Sequence, residues 1–174
     1  MIFEIEEIPD GGLDFNLLAE KEQFEINQPD CSLSGNVRVN GKLTRIEQDI
    51  FFSGQLQASL KVDCTRCLKP FPLVVKNKIQ VHFIPRAKEQ SSGTEVEVKE
   101  TDIEQEIYKE DRVDLSAPVR DNILLDVPLI RLCNDGCKGI CSKCGNDLNT
   151  NQCECQSEGE IDPRFAVLKK LKKS

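Results

Sequence analysis

Hydrophobic and polar positions alternate along most of the first half of the chain, which is the signature of strands. From Leu56 to Cys64, Leu56, Ala58, Leu60 and Val62 share one parity and Gln55, Gln57, Ser59, Lys61 and Asp63 take the other, the period of a half-buried β-strand. After Lys69-Pro70 the chain returns through Leu73, Val75, Ile79, Val81 and Phe83, with Lys76, Lys78, Gln80 and His82 opposite, so the two runs predict a β-hairpin with Cys64 to Cys67 at its tip. His82 falls on the polar face and reads as an ordinary solvated histidine. Upstream, Leu33, Gly35, Val37 and Val39 alternate with Ser34, Asn36 and Arg38. Asn40-Gly41 is a hairpin signal there, and Glu47-Gln48-Asp49 could equally be the turn. Residues 2–8 predict an edge strand ended by Pro9-Asp10-Gly11-Gly12, and Leu13, Leu17 and Leu18 among polar positions predict a short helix over 13–23.

Helical spacing is clearest further along. Leu115, Val119, Ile123 and Val127 recur every four residues, with Pro118 tolerated in the first turn and Pro128 as a stop, predicting a helix near 115–127. Asp162-Pro163 combines an N-cap with proline at the first helical position, ahead of Phe165, Val167, Leu168 and Leu171. Lys169, Lys170, Lys172 and Lys173 crowd that helix's C-terminus, where the dipole favours cations. Between these regions, Ala87 to Gly93 reads as a loop and Glu95 to Glu106 as an acidic run. The prediction is an α+β fold: a mostly antiparallel β-sheet with a crossing helix, a C-terminal Cys-rich zinc-binding segment and a short terminal helix. A β-rich core spans 1–130 with an acidic loop at about 86–111, the Cys-rich segment spans 131–156 and the basic helix 157–174, all in one domain overall.

Composition bounds the function class. At 174 residues and 39% hydrophobic the chain suits a globular fold despite lacking tryptophan. The start, Met1-Ile2-Phe3-Glu4-Ile5-Glu6-Glu7, has neither a basic n-region nor an apolar h-region, and the apolar stretch from Ile123 to Ile130 is broken by Asp126. Secretion and membrane spanning are unsupported, and the expected compartment is a reducing cytoplasm. The net charge of −7 is uneven: −8 over residues 1–30, +5 over 31–85, −6 over 86–126 and +2 over 127–174. An acidic total does not exclude a nucleic-acid partner, because binding follows the local patch.

The candidate chemistry lies in the cysteines. Six of nine fall between Cys133 and Cys155, Cys141-x2-Cys144-Gly145 has the form of a zinc knuckle, and Cys64-Thr65-Arg66-Cys67 repeats its spacing. A tight turn aims two sulfurs at one metal. Cys31 reads as a small buried hydrophobe, leaving the pairs Cys64/Cys67, Cys133/Cys137, Cys141/Cys144 and Cys153/Cys155. The preferred grouping joins the first two pairs in one site and the last two in another. A rival places four of the last six on a single ion, with Cys64 and Cys67 left over; Cys153 is then the candidate non-ligand, because C-x-C ligation of one ion is less common. Either way one or two zinc ions are expected, closed by four sulfurs and therefore structural; an iron–sulfur cluster is the alternative. No Gly-rich phosphate loop, Ser/His/Asp set or H-E-x-x-H pattern is present, so neither an enzyme nor a small-molecule substrate is expected.

Four stretches carry a resemblance: Val62-Asp63-Cys64-Thr65-Arg66-Cys67-Leu68-Lys69-Pro70-Phe71; Val113-Asp114-Leu115 with Asn122 to Leu129; Leu132-Cys133 to Asn149; and Asp162-Pro163-Arg164-Phe165-Ala166-Val167-Leu168-Lys169-Lys170-Leu171. Together they resemble the YceD family, the large ribosomal RNA subunit accumulation proteins of bacteria and plastids. The resemblance implies a non-enzymatic factor in ribosome biogenesis that supports synthesis, processing or accumulation of 23S ribosomal RNA in a bacterial cytoplasm. Its partner would be ribosomal RNA or a large-subunit precursor, with Arg66, Lys69, Lys138 and Lys143 beside the knuckles as candidate phosphate contacts. The alternative is a zinc-stabilised adaptor that docks an assembly protein or nuclease without touching RNA.

Overall fold

The computed structural model describes residues 1–86 and 104–155. In chain order the elements are β1 (Ile2–Glu4), β2 (Leu13–Ala19), β3 (Asn27–Gln28), β4 (Cys31–Leu33), β5 (Val37–Ile46), β6 (Asp49–Asp63), β7 (Pro70–Pro85), β8 (Glu104–Tyr108), β9 (Arg112–Asp114) and α1 (Ser116–Leu125). Sheet dominates, with a single α-helix among the described residues. No helix there is long and apolar enough to cross a membrane. The expected helix at 157–174 lies outside the described residues.

The long hairpin of β6 and β7 is the frame. It pairs antiparallel from Ile50↔Phe83 to Asp63↔Pro70. The other edge of β6 is shared by β5, from Arg38↔Gln57 to Ile46↔Asp49, and by β4, from Cys31↔Val62 to Leu33↔Leu60. β2 continues beyond β5, β3 beyond β4, and β1 with β9 makes a separate two-stranded ribbon. The alternation fixes which face is buried: Leu56, Leu60 and Val62 on β6 and Val75, Ile79 and Val81 on β7 are almost fully covered, while Gln55, Gln57, Lys76 and Lys78 are exposed. Val119 and Ile123 of α1 and Phe24 complete this core. A row of rings, Phe3 to Phe15 to Phe52, stacks across it at centroid separations of 4.9 and 5.5 Å. Each fully buried side chain of the core, such as Phe52 or Leu60, contributes roughly 1.5–3 kcal/mol relative to exposure.

The structure departs from the sequence-based expectations in several places. The edge strand expected over residues 2–8 ends at Glu4, and Ile5–Glu7 turns as a 3-10 segment. Residues 13–19 form β2 rather than a helix, paired with β5 throughout, and only Lys21–Phe24 turns helically, as a 3-10 segment. The β5–β6 turn sits at Glu47-Gln48, where Glu47 takes φ 56°; Asn40-Gly41 lies mid-strand. Gly41 is needed there for approach rather than turning, because a Cβ on it would stand 2.5 Å from the Ser53 carbonyl and 2.7 Å from the Phe52 ring. Residues 104–108, expected within an acidic loop, form β8, which runs parallel to β7 and makes the sheet mixed. His82 is not simply solvated: it stacks on Phe51 at 4.3 Å between ring centroids and lies 3.2 Å from the Asp49 carboxylate.

α1 occupies the stretch where four-residue spacing predicts a helix. Asp114 Oδ1 accepts the Ser116 N–H at 2.8 Å, and Pro118 falls in the first turn, where no intrahelical donor is required. Its C-terminal end is tied to the sheet by the Asn77 amide, which donates to Asp126 Oδ1 at 2.9 Å. From there the chain is delivered to the hairpin tip.

Candidate metal centres

At the β6–β7 tip, Cys64 keeps the inward parity of Val62 and is fully buried. The Cys64 N–H donates to Lys69 O and the Leu68 N–H to Cys64 O, both at 2.9 Å, with Leu68 at φ 59°. This tight turn brings Cys67 back beside Cys64. The segment after α1 is clipped to the same turn: the Thr65 N–H and hydroxyl donate to Arg131 O at 2.8 and 3.0 Å, and Arg66 Nη1 donates to Cys137 O at 3.0 Å. Arg131 in turn pairs with Asp30 on the sheet. The result places the sulfurs of Cys64, Cys67, Cys133 and Cys137 within 4.8 Å of one another.

Those sulfurs fit a tetrahedral ion. Cys64 Sγ lies 3.8 Å from Cys137 Sγ and Cys67 Sγ 3.7 Å from Cys133 Sγ. Four sulfurs at the Zn–S distance of about 2.3 Å would be separated by about 3.8 Å along each tetrahedral edge, whereas a disulfide would need about 2.05 Å. All nine cysteines are free. Asn134 Nδ2 donates to Cys133 Sγ and Asn149 Nδ2 to Cys137 Sγ, each at 3.5 Å, the kind of outer hydrogen bond that steadies a thiolate ligand.

The second group assembles Cys141, Cys144, Cys153 and Cys155, again within 4.8 Å. Its knuckle closes with the Gly145 N–H on Cys141 O at 2.9 Å, Gly145 at φ 75°, and the Lys143 N–H 3.4 Å from Cys141 Sγ. Four of the last six cysteines do gather here, as the rival grouping has it, but Cys64 and Cys67 are not left over, because they lie with Cys133 and Cys137. The two groups are tied together: the Ile140 N–H donates to Arg66 O at 3.1 Å, and Lys69 pairs with Asp147. Cys31 is buried in β4 and belongs to neither group.

Electrostatics differ within each group. Burial opposes the Cys64 thiolate, but the backbone N–H groups of Cys67, Cys133 and Arg66 outweigh it and lower the thiol to about 6. The N–H groups of Cys144 and Lys143 likewise lower Cys141 to about 6. Burial and the neighbouring sulfurs push Cys133 up to about 12, and hydrogen bonding with Cys144 together with burial does the same to Cys155. A ready thiolate beside resistant thiols is what four crowded sulfurs produce, and a bound cation would offset the repulsion among their thiolates. With four sulfurs each, neither group leaves a coordination position for a catalytic water.

Of the four candidate RNA contacts, all are exposed, but their surroundings differ. Lys138 and Lys143 line a single cavity of about 500 Å³ beside Cys141 and Cys153. Arg66 is held at the junction of the two groups through Cys137 O, and Lys69 is committed to Asp147. The sequence reading overlooked Asp147 and Asn149. Asn149 Oδ1 accepts the Lys138 N–H at 2.8 Å, its Nδ2 donates to Asp147 Oδ1 at 2.7 Å, and Asp147 Oδ1 also accepts the Asn149 N–H at 2.9 Å. The D-x-N spacing of an Asx-type turn was the available signal.

Comparison with known proteins agrees with the geometry's location. The family model described as large ribosomal RNA subunit accumulation protein YceD matches residues 52–172. That description names an accumulation role and no reaction. An uncharacterized protein of Mycobacterium tuberculosis is 25% identical over 127 residues, covering 73% of this chain and 58% of the relative. The chloroplastic large ribosomal RNA subunit accumulation protein YCED homolog 1 of Arabidopsis thaliana is 37% identical over 60 residues, 34% of this chain and 18% of the relative. The uncharacterized protein YlbN of Bacillus subtilis is 23% identical over 175 positions, 99% of this chain and 95% of the relative. The match to the mycobacterial relatives thus spans little more than half of their length. No solved structure matches.

Proposed function

The chain belongs to the YceD family, and from that premise we propose that it is a non-enzymatic factor supporting synthesis, processing or accumulation of 23S ribosomal RNA by binding that RNA or the assembling large subunit in the bacterial cytoplasm. The observation that carries this reading is the family match over residues 52–172, which takes in the hairpin and both cysteine groups. In it Cys64, Cys67, Cys133 and Cys137 hold one zinc ion and Cys141, Cys144, Cys153 and Cys155 a second. An iron–sulfur cluster suits the same donors, and metal analysis with absorption spectroscopy of the purified protein separates the two. Zinc bound by four thiolates leaves each site with a net charge of −2, so Arg66, Lys138 and Lys143 both offset that charge and present cations to phosphates. Arg66→Glu with Lys143→Glu is expected to weaken binding to large-subunit RNA and make it less salt-dependent. Full binding by that variant, with 23S RNA restored in a deletion strain, would remove these contacts from the mechanism.

A second reading is favoured by one specific feature. Leu125, Leu129 and Ile130 are 80, 94 and 75% exposed at the end of α1, next to the cysteine tip. Apolar side chains in sequence at such exposure suit a protein partner, an assembly protein or nuclease docked by this chain. Co-purification from lysate with and without nuclease separates the readings: a partner retained after RNA digestion and lost on Leu129→Asp supports the adaptor.

A further inference from the structure

The pairing registers gather positive charge far from the cysteine tip. Arg38 on β5 stands opposite Gln57 on β6, which stands opposite Lys76 on β7; the next row is Asn40, Gln55 and Lys78. All six side chains are exposed, point away from the core and line one open concavity of about 360 Å³. No carboxylate lines it, and the three bases make no ion pair with the described residues. In a chain of net charge −7, three exposed cations without an ion pair across three adjacent strands make a local positive patch that attracts anions. Their spacing is set by the sheet: Lys76 and Lys78 are two residues apart on one strand, about 6.6 Å, and Arg38 is two strands away, about 9.6 Å.

Resting on the ribosomal-RNA reading above, we infer that this open sheet face is a docking surface for single-stranded RNA, with Arg38, Lys76 and Lys78 on successive phosphates and Asn40, Gln55 and Gln57 on the sugars. Cations fixed on neighbouring strands, with no carboxylate among them, complement a polyanion. Each amide offers both donors and an acceptor, which matches a 2′-hydroxyl that both donates and accepts. The concavity has no aromatic lining, so bases are not held by stacking and recognition is of the backbone and sugar. Edge protection by lysine is the competing explanation, since β7 has no neighbour beyond it at Lys76 and Lys78 among the described residues; it does not account for Arg38, which lies between β2 and β6.

The test uses the full zinc-loaded chain, with fluorescence anisotropy against a 23S RNA fragment, a 20-nucleotide oligo(U), the matching oligo(dU) and poly-glutamate across salt. For Arg38→Gln/Lys76→Gln/Lys78→Gln the expectation is at least a tenfold loss of oligo(U) affinity and a salt slope about two units shallower, from about 0.7 per phosphate contact, with unchanged circular dichroism and zinc content. Gln57→Ala should narrow the preference for oligo(U) over oligo(dU), a readout that loss of charge alone would not move. If the wild type binds no large-subunit RNA at all, the function proposed above fails first. If it binds and the triple variant keeps its affinity and slope, that function stands and this surface is overturned. Self-association of the triple variant with RNA binding intact would assign the lysines to edge protection, and preferential capture of poly-glutamate would assign the face to an acidic protein; either result overturns the inference.

Discussion

Gly139 shows how much of the cysteine segment depends on single backbone positions. Its φ of 78° lies where L side chains are strained, and a Cβ would come within 3.0 Å of the Arg66 carbonyl, the same oxygen that accepts the Ile140 N–H. Gly139→Ala is therefore expected to cost about 1–3 kcal/mol and to loosen the second metal group, read as faster zinc transfer to a chelator. Gly136→Ala is the control: its φ is unstrained and its nearest neighbour is 3.6 Å away, so it should match the wild type. Asp30 gives a second local test. The hydrogen bond from Arg131, aided by its charge, holds the carboxyl below the usual range against the opposing effect of burial. A depressed folded-state pKa means the pair's stabilisation is present above the ordinary value of about 3.9 and is lost as pH falls through the folded one. A carbon-13 titration should place the Asp30 midpoint below the ordinary value and return it there in Arg131→Ala. An unchanged midpoint would sink the pairing.

The cysteine groups make separable predictions because different elements build them. Cys64 and Cys67 ride on the rigid β6–β7 turn, whereas Cys141 to Cys155 belong to a segment held mainly by its own turns. Cys141→Ser should lower the metal content from two ions to one per chain and open residues 140–155 while leaving the first group loaded; Cys137→Ser should release the first ion and free the segment from the sheet. Elemental analysis with limited proteolysis reads both, and one ion per wild-type chain would refute the two-centre reading. The sequence disclosed the frame of this site because β6 and β7 are long and largely alternating, so the position of Cys64 at a hairpin tip followed from parity. It did not disclose β2, since Leu13, Leu17 and Leu18 satisfy a four-residue spacing as well as a strand whose Leu17 and Leu18 stay 40 and 60% exposed. β8 was hidden for a related reason: Glu104 and Glu106 sit in an acidic run, and pairing with β7 rather than side-chain burial defines the strand. The grouping that joins Cys133 and Cys137 to the hairpin pair rested on counting pairs of cysteines, because clips such as the Thr65 N–H to Arg131 O are backbone bonds without a sequence mark.

Two hydrophobic clusters divide the described residues. The sheet core runs from Ile5 to Ile123 and includes no metal-candidate cysteine, while Cys64, Cys67 and Cys137 form a small cluster of their own that meets the core through Phe71. The larger cluster buries Phe24, Phe52, Leu56, Leu60 and Ile79 almost completely and contains none of the eight candidate ligands. Stripping the metal with a strong chelator should therefore leave β5, β6 and β7 protected from hydrogen exchange while amides in residues 131–155 exchange quickly, in two transitions rather than one. Loss of protection in β6 and β7 at the same rate as in 131–155 would mean that the ions hold the whole fold. The same stripped protein separates the two RNA surfaces. If contacts are concentrated on the open sheet face, oligo(U) affinity should fall by less than about threefold on chelation, because Arg38, Lys76 and Lys78 are fixed by strands that remain; if Lys138 and Lys143 carry binding, affinity should collapse with the segment that positions them.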